Sequence, residues 1–496
     1  MKIDRLLVSA AHKSSGKTTI SLGLCAAFTA QGVRVQPFKK GPDYIDPMWL
    51  ARAAGRDCFN LDAYLMDDTA LARCFGGALA GAELAIVEGN KGLYDGLALD
   101  GSNSNAALAM RLRLPVLLVL DARGMTRGIA PLILGYQAFE PGIRIGGVIL
   151  NRLGGSRHEA KLRAVIEHYT DVPVLGAVAE DERLALTERH LGLMPCAEVD
   201  DVATRITEIG SIVGAQVDLQ RVRALAASAD DWRADPGAVE GAGIESVVAP
   251  LRAQAAQPSP ARGRALRIAV ARDRAFGFYY PDDLQALEAA GAQIVAFDTL
   301  HDAALPPAID GLFIGGGFPE SCLDELEANA ALRAALRDAL AAGLPAYAEC
   351  GGLMYLARSI TWQGRTARMV GAIPGDAVMH ERPQGRGYVH LRETAAMPWP
   401  AAADSTPACS TTLRCHEFHH SSLANLDPDV AFAYRVLRGQ GIDGENDGIV
   451  RGNLLASYAH LRSAAGTHWA PRFVAFARAW RDLRHARSRT TDVRAA

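Results

Sequence analysis

A short apolar run, Leu6-Leu7-Val8, leads into Ala10-Ala11-His12-Lys13-Ser14-Ser15-Gly16-Lys17-Thr18-Thr19, and an apolar helical pattern follows. A strand, a Gly-Lys-Thr loop and a helix in that order make a phosphate-binding P-loop. That order points to a doubly wound α/β sheet with ligands at the strand carboxyl ends. Successive backbone N–H groups from Ser15, Gly16, Lys17, Thr18 and Thr19, with the helix N-terminus, cradle phosphate oxygens. Lys17 is expected at the β/γ-phosphates of ATP and the Thr18 hydroxyl on Mg²⁺. Ala11 stands where a glycine is usual, and Ala serves there if its φ stays negative. The competing reading is a surface turn that spells Ser-Gly-Lys-Thr by chance; the strand before it and the helix after it weigh against that.

Alternation of short apolar runs with helical patterns continues through Val33–Val35, Leu84–Val87, Val116–Leu120, Gly147–Leu150 and Val172–Leu175. These read as buried parallel strands. At 496 residues the chain is too long for one ordinary domain. From about Leu225 to Arg264 the pattern fades into Ala, Pro and Gly, with Pro258 and Pro260. A second α/β series begins at Leu266–Val270, continues with Ile294–Phe297, Gly311–Ile314 and Pro345–Ala348, and turns strand-rich after Arg368. The expected organisation is a nucleotide-binding domain over 1–225, a linker over 226–264, a second α/β domain over 265–480 and a flexible, basic tail over 481–496.

An acid partner for the phosphate loop is expected at the end of a neighbouring strand, and Leu84–Val87 runs into Glu88-Gly89. Glu88 is placed there for a Mg²⁺ role. Asp95 lies on the loop that follows. Asn151, after another strand, is positioned to read an adenine edge, and an ordinary turn residue competes evenly for that position. The segment Pro37 to Pro47 reads as a rigid loop in which Lys39, Lys40, Asp43 and Asp46 meet. It is suited to an anionic substrate and a metal together, against the plain alternative of a solvated charged loop.

A second site centres on Cys350. A strand ending in Glu349 meets Cys350-Gly351-Gly352 and a helix opening at Leu353. A nucleophile on a sharp strand-to-helix turn needs small neighbours, which the two glycines supply. A helix N-terminus lowers a thiol pKa, and backbone N–H groups of Gly351 and of Gly316-Gly317, after another strand, can form an oxyanion hole. A buried structural cysteine is the alternative, and it is the reading kept for the other seven: Cys25, Cys58, Cys74, Cys196, Cys322, Cys409 and Cys415. A thiol nucleophile needs a base. The candidates are His416, His419, His420, His460 and His468, and His460 follows the strand-like run Leu454–Tyr458. The cluster His416-Glu417-Phe418-His419-His420 lacks the spacing of a zinc site and suits substrate binding or a domain contact.

These residues resemble, along the whole chain, the cobyrinate a,c-diamide synthase family. The matching motifs are SSGKTT, FKKGPDYIDP, NLD at Asn60–Asp62, EGNKGLYDG, ERHLGL at Glu188–Leu193, FGFYYPD, GGGFPE, AECGGLMYL, HEFHHS and SYAHLR. The N-terminal half is similar to dethiobiotin synthetase, the C-terminal half to class I glutamine amidotransferases. The resemblance implies a carbon–nitrogen ligase with glutamine as amide donor. Glutamine is hydrolysed through a thioester on Cys350 with His460 as base. ATP phosphorylates the a and c acetates of a tetrapyrrole, and ammonia displaces phosphate. By motif position Asp43, Ile45, Glu88 and Asp95 are substrate-activation residues, Lys39 stands beside them, and Thr18, Glu88 and Asp43 are the metal candidates. Arg462 occupies the position where class I glutaminases usually carry the glutamate of His-x-Glu, so a Cys–His dyad is expected. Asn90-Lys91 resembles relatives proposed to amidate sirohaem for dissimilatory sulfite reductase; sirohaem, hydrogenobyrinate and cobyrinate all fit.

A rival from another class is a deviant P-loop partitioning or maturation ATPase. Its signature lysine would stand at His12, one residue from Lys13, and Cys350 would go unexplained. A net charge of −3 argues against a general nucleic-acid binder. Scattered cysteines and short apolar runs fit a cytoplasmic protein with no membrane partner. The expected partners are the tetrapyrrole, ATP and glutamine, with Mg²⁺ as cofactor; a homodimer is one assembly compatible with them.

Overall fold

The computed structural model describes residues 3–186, 188–189, 192–232, 264–400 and 412–495, with the backbone alone at 188–189, 192 and 487–495. Most of the expected linker, 233–263, lies outside the described residues, as do Cys409 and part of the Glu188–Leu193 motif. The chain divides into two compact units, Met1–Gly243 and Ile244–Ala496.

In the first unit seven strands run parallel: β1 Asp4–Ala10, β2 Val35–Lys40, β3 Phe59–Leu61, β4 Leu84–Glu88, β5 Val116–Asp121, β6 Ile145–Leu153 and β7 Val174–Ala179. Their order is β3-β2-β4-β1-β5-β6-β7. Continuous Val, Leu and Ile runs suit strands covered on both faces. Register decides what meets at the sheet edge: Val8 pairs with Glu88 and Lys39 pairs with Glu88, so β1, β2 and β4 end together. Helix α1, Lys17–Ala30, leaves the P-loop and packs closely on α3, Val202–Gln216, where a side chain at Gly23 would meet Val213 at 2.5 Å. Helix α2 is Ile45–Ala54. The segment Pro37 to Pro47 is therefore not one loop. Pro37–Lys40 completes β2, Ile45 opens α2, and only four residues turn between them. The apolar Val35 and Phe38 draw the strand through the charged motif into the core.

The second unit is built on a nine-stranded mixed sheet of β8 Leu266–Ala271, β9 Ala292–Phe297, β10 Gly311–Ile314, β11 Ala346–Glu349, β12 Gly385–Glu393, β13 Thr412–His419, β14 Ala431–Arg438, β15 Asn446–Arg451 and β16 Leu454–Ser457. The order is β9-β8-β10-β11-β16-β15-β14-β12-β13, parallel as far as β16 and antiparallel beyond it. Helix α4, Gly351–Leu356, follows β11. The tail expected over 481–496 is instead the continuation of a helix, α5, Trp469–Ala495. Trp469, Phe473, Val474 and Ala477 bury one face of it, and the Arg- and Ala-rich end carries the same helix onward. Trp469 packs on Phe313 and Tyr347, whose rings stack at 5.4 Å. Each such aromatic side chain contributes roughly 1.5–3 kcal/mol by burial.

Candidate active sites

The phosphate loop turns at Gly16, whose φ of 89° is left-handed and whose missing Cβ would stand 2.1 Å from Asn151 Nδ2. Only glycine meets both demands. Ala11 keeps a negative φ; the strained non-glycine position is Ser14, at φ 63°. Asn151, expected at an adenine edge, is buried and donates from Nδ2 to the Ser15 carbonyl at 2.9 Å, which braces the loop. Tyr136 holds the other side, its hydroxyl donating to the Ala11 carbonyl at 2.5 Å. Lys17 is largely buried, and burial lowers its pKa to about 8 against the pull of Glu88. Asp95 accepts from Gly92 N–H at 2.8 Å, and Leu93 N–H bonds the Ala10 carbonyl. That ties its loop beside Ala11.

Lys39 stands at the centre of the acid group. Its ammonium bonds Asp46 and Glu88 Oε1, the latter at 2.9 Å, and lies 3.7 Å from Asp43. The Thr18 hydroxyl donates to Glu88 Oε1 at 2.6 Å and to Asp46 at 3.3 Å. Asp43 accepts from the backbone N–H groups of Ile45 and Asp46, which fixes the start of α2. Ile45 thus supports the cluster through its backbone, with its side chain buried. Burial raises the Asp43 pKa to about 7, helped by Asp46 and opposed by Lys39, and burial also raises Glu88. Burial disfavours the Lys39 charge, but Asp46, Glu88 and Asp43 hold its pKa well above the usual value. Asp46 is not marked as a metal candidate by sequence, because its distance to Thr18 depends on where α2 begins.

The donor set fits Mg²⁺. Thr18, Asp43, Asp46 and Glu88 offer hard oxygens, and Glu88 Oε2 is buried with no hydrogen-bond partner among the described residues. No His, Cys, Asp and Glu group among the described residues forms a complete metal cage. Mg²⁺ does not need one, because it binds through one or two carboxylates together with substrate phosphates.

In the second unit Cys350 forms a strained elbow, with φ 48° and ψ −101°. Such backbone is costly for a non-glycine residue and marks nucleophile turns. Its N–H bonds the Ser457 carbonyl at 2.8 Å. A Cβ on Gly351 would lie 2.9 Å from Gly317 N, and one on Gly352 would lie 2.2 Å from the Ile314 carbonyl oxygen. The glycines thus let the elbow nest against the Gly316-Gly317 segment. A helix-lowered thiol pKa is not what results. Burial pushes the Cys350 thiol well up, Glu320 adds to this, and the Gly351 N–H only partly offsets it. A short helix end cannot outweigh full burial. The thiol therefore needs a base at the moment of attack.

His460 follows β16, the parallel neighbour of β11, with Glu349 paired to Ser457. A Cβ on Gly316 would stand 2.8 Å from His460 Cε1, so His460 and Cys350 flank the same glycine segment. Three features fix His460. Its N–H bonds the His416 carbonyl at 2.8 Å. Its Nδ1 is 3.3 Å from Glu349 Oε2. The turn before it hangs on buried Asp447, which accepts from Ser457 Oγ, Tyr458 N–H and Ala459 N–H. Arg462, standing in the place of the usual glutamate, is fully buried and pairs with Asp282 at 2.9 Å over the Tyr280 ring. The histidine cluster is buried too and lines this site. His416 stacks on His460 with centroids 4.8 Å apart, His419 stacks on Tyr458, and the Phe418 carbonyl lies 3.9 Å from Cys350 Sγ. Burial, with His460 adding, pushes the His416 pKa well down, so its ring is neutral. His468 directly precedes α5, and its carbonyl accepts from the Arg472 N–H at 3.3 Å.

Gly316→Ala is expected to push the His460 ring aside and lower glutamine hydrolysis by about 10²-fold, the usual consequence of a misplacement near 1 Å. Synthesis from ammonium should not change. An assay with each nitrogen source checks it; equal loss from both would place the effect elsewhere.

Comparison with known proteins accounts for both units. Residues 7–193 match the CobQ/CobB/MinD/ParA nucleotide binding domain and residues 267–467 the CobB/CobQ-like glutamine amidotransferase domain. The second match leaves the partitioning-ATPase reading with no account of 267–467. The chain is 43% identical to a cobyrinate a,c-diamide synthase of Magnetococcus marinus over 97% of its length and 98% of that protein. It is 41% identical to one of Methanosarcina acetivorans over 93% of each chain, and 38% identical to one of Syntrophotalea carbinolica over 96% and 99%.

Proposed function

The chain belongs to the cobyrinate a,c-diamide synthase family, and on that premise we propose that it uses ATP and glutamine to convert the a and c acetate carboxylates of cobyrinate to amides. As a member it is an amidating carbon–nitrogen ligase with a glutamine amidotransferase domain. The observation that carries the reading is the presence in one chain of a strained cysteine elbow beside a held histidine and of a P-loop facing buried carboxylates.

In the glutaminase half, His460 takes the Cys350 proton as sulfur attacks the glutamine amide carbon. The proton passes to the departing nitrogen, which leaves as ammonia, and water then frees glutamate from the thioester. Backbone N–H groups of Gly351 and of Gly316-Gly317 would stabilise the oxyanion. In the ligase half, a substrate carboxylate oxygen attacks the γ-phosphorus of ATP, forming an acyl phosphate and releasing ADP. Ammonia then attacks the acyl carbon and phosphate leaves. Lys17 and the loop N–H groups hold the nucleotide phosphates, and Lys39 neutralises the crowded acids. Thr18 and Glu88, with Asp46 or Asp43, would hold Mg²⁺, which supplies charge neutralisation on the transferred phosphoryl group. Asp95 and Asn151 keep the loops around the phosphates in place.

Burial leaves Lys17 with a pKa of about 8, and nucleotide phosphates favour its charged form. A pKa raised on binding means proton uptake. Mg²⁺-free ADP binding at pH 8 should take up on the order of half a proton. Calorimetry in buffers of different ionisation heat reads it directly; zero uptake would contradict the placement of Lys17.

The substrate is tested by offering cobyrinate, hydrogenobyrinate and sirohaem in parallel to purified protein with ATP and glutamine. Two amides on cobyrinate are expected. Turnover of sirohaem alone would keep the chemistry and change the macrocycle, and turnover of none by protein that hydrolyses glutamine would overturn the substrate assignment. No helix among the described residues is long and apolar enough to cross a membrane.

A further inference from the structure

We propose that Glu349, the residue immediately before the nucleophile, is the carboxylate that orients His460, so that the glutaminase works through Cys350, His460 and Glu349 rather than through a dyad. This rests on the reading of the second unit as a glutaminase. It replaces the missing glutamate of His-x-Glu with one delivered off the strand that carries the cysteine.

The geometry is specific. Glu349 ends β11 and His460 follows β16; the two strands are parallel neighbours, and residues 111 apart in sequence meet where they end. Glu349 Oε2 lies 3.3 Å from His460 Nδ1. The other oxygen is already committed, because Oε1 accepts from the Tyr347 hydroxyl at 2.5 Å and from Leu461 N–H at 2.9 Å. Tyr347 and Glu349 lie two apart on the strand and so share a face. The carboxylate is thus clamped at one oxygen and aimed at the histidine with the other. Both side chains of the pair are almost completely buried. A carboxylate left there without a cationic or donor partner would be costly.

The other charged and titratable groups around His460 do not offer this service. His416, on β13, stacks on the ring and is held neutral by burial. Arg462, on the histidine's own segment, is directed to Asp282. Asp447 spends its oxygens on Ser457, Tyr458 and Ala459. Tyr458 lies against His419. With Nδ1–H donated to Glu349, the lone pair of His460 sits on Nε2, the nitrogen left to take the Cys350 proton. Glu349 then stabilises the imidazolium that forms and gives up no proton itself. It is a positioning residue, since it acts through His460.

Two measurements test this. The first is the kcat and KM of glutamine hydrolysis by Glu349→Gln, with synthesis from ammonium as the control for folding. The expected result is a kcat lower by about 10²–10⁴-fold with a KM for glutamine nearly unchanged. Glu349→Asp should recover part of the loss. The second uses the unaltered protein: ¹⁵N NMR of its histidines should find neutral His460 protonated at Nδ1. A Glu349→Gln variant with wild-type kcat, or a wild-type His460 protonated at Nε2, would overturn the proposal, and the NMR result stands even if the variant fails to fold. Wild-type protein that hydrolyses no glutamine at all would instead sink the glutaminase reading itself.

Discussion

Cys350→Ala is expected to abolish glutamine-dependent amidation, lowering glutamine hydrolysis by a factor on the order of 10⁴ or more, while synthesis from ammonium continues near the wild-type rate. Cys350 takes a backbone conformation with φ 48°, which a structural cysteine has no reason to bear, and alanine inherits it without new clash. The thiol faces the Phe418 carbonyl at 3.9 Å and accepts from the Gly351 N–H. What disappears is the sulfur that would carry the acyl group. Because burial raises the thiol pKa, wild-type alkylation by iodoacetamide should climb through the alkaline range without levelling near neutrality. Persistent glutamine use in the alanine variant would mean that the nucleophile lies elsewhere.

Glu88→Gln has the opposite signature: both glutamine- and ammonium-dependent synthesis should fall by about 10²–10³-fold or more, with glutamine hydrolysis retained. Glu88 is fully buried and joins Thr18 to Lys39 through a single oxygen, with its second oxygen unpartnered among the described residues. Glutamine keeps the shape and removes the charge. Lys39 retains Asp43 and Asp46, so the cost to folding should stay at roughly 1–3 kcal/mol. Mn²⁺ binding followed by electron paramagnetic resonance should weaken in parallel. A variant that still synthesises amide from ammonium at the wild-type rate would remove Glu88 from the reaction.

Much of this was readable in the chain before the fold. The P-loop announced itself because strand, loop and helix carry three different patterns in a row, and Glu88 because an acid ends an otherwise apolar strand. Cys350 stood out by its two following glycines. What escaped depends on register. Glu349 looks like a strand-ending acid, and only the alignment of β11 with β16 brings it to His460. Asp447 is invisible for the same reason, since its partners are the N–H groups of a turn about a dozen residues on. Asp46 joins the Lys39 cluster only because α2 starts at Ile45. The raised thiol pKa is not legible in sequence, which shows the helix that follows a cysteine and not the protein that buries it. The C-terminal helix was missed because its polar end hides a buried face set earlier by Trp469, Phe473 and Val474.

The central claim is that one chain activates a carboxylate with ATP and aminates it with nitrogen released at Cys350. Cobyrinate with ¹⁸O in its carboxylates, supplied with ATP and amide-¹⁵N glutamine, tests both halves together. Each amide formed should carry ¹⁵N and should deliver one ¹⁸O to inorganic phosphate, because the acyl phosphate breaks between carbon and the bridging oxygen. Amide formation with the ¹⁸O lost to water, or with nitrogen that is not from glutamine, would contradict the account.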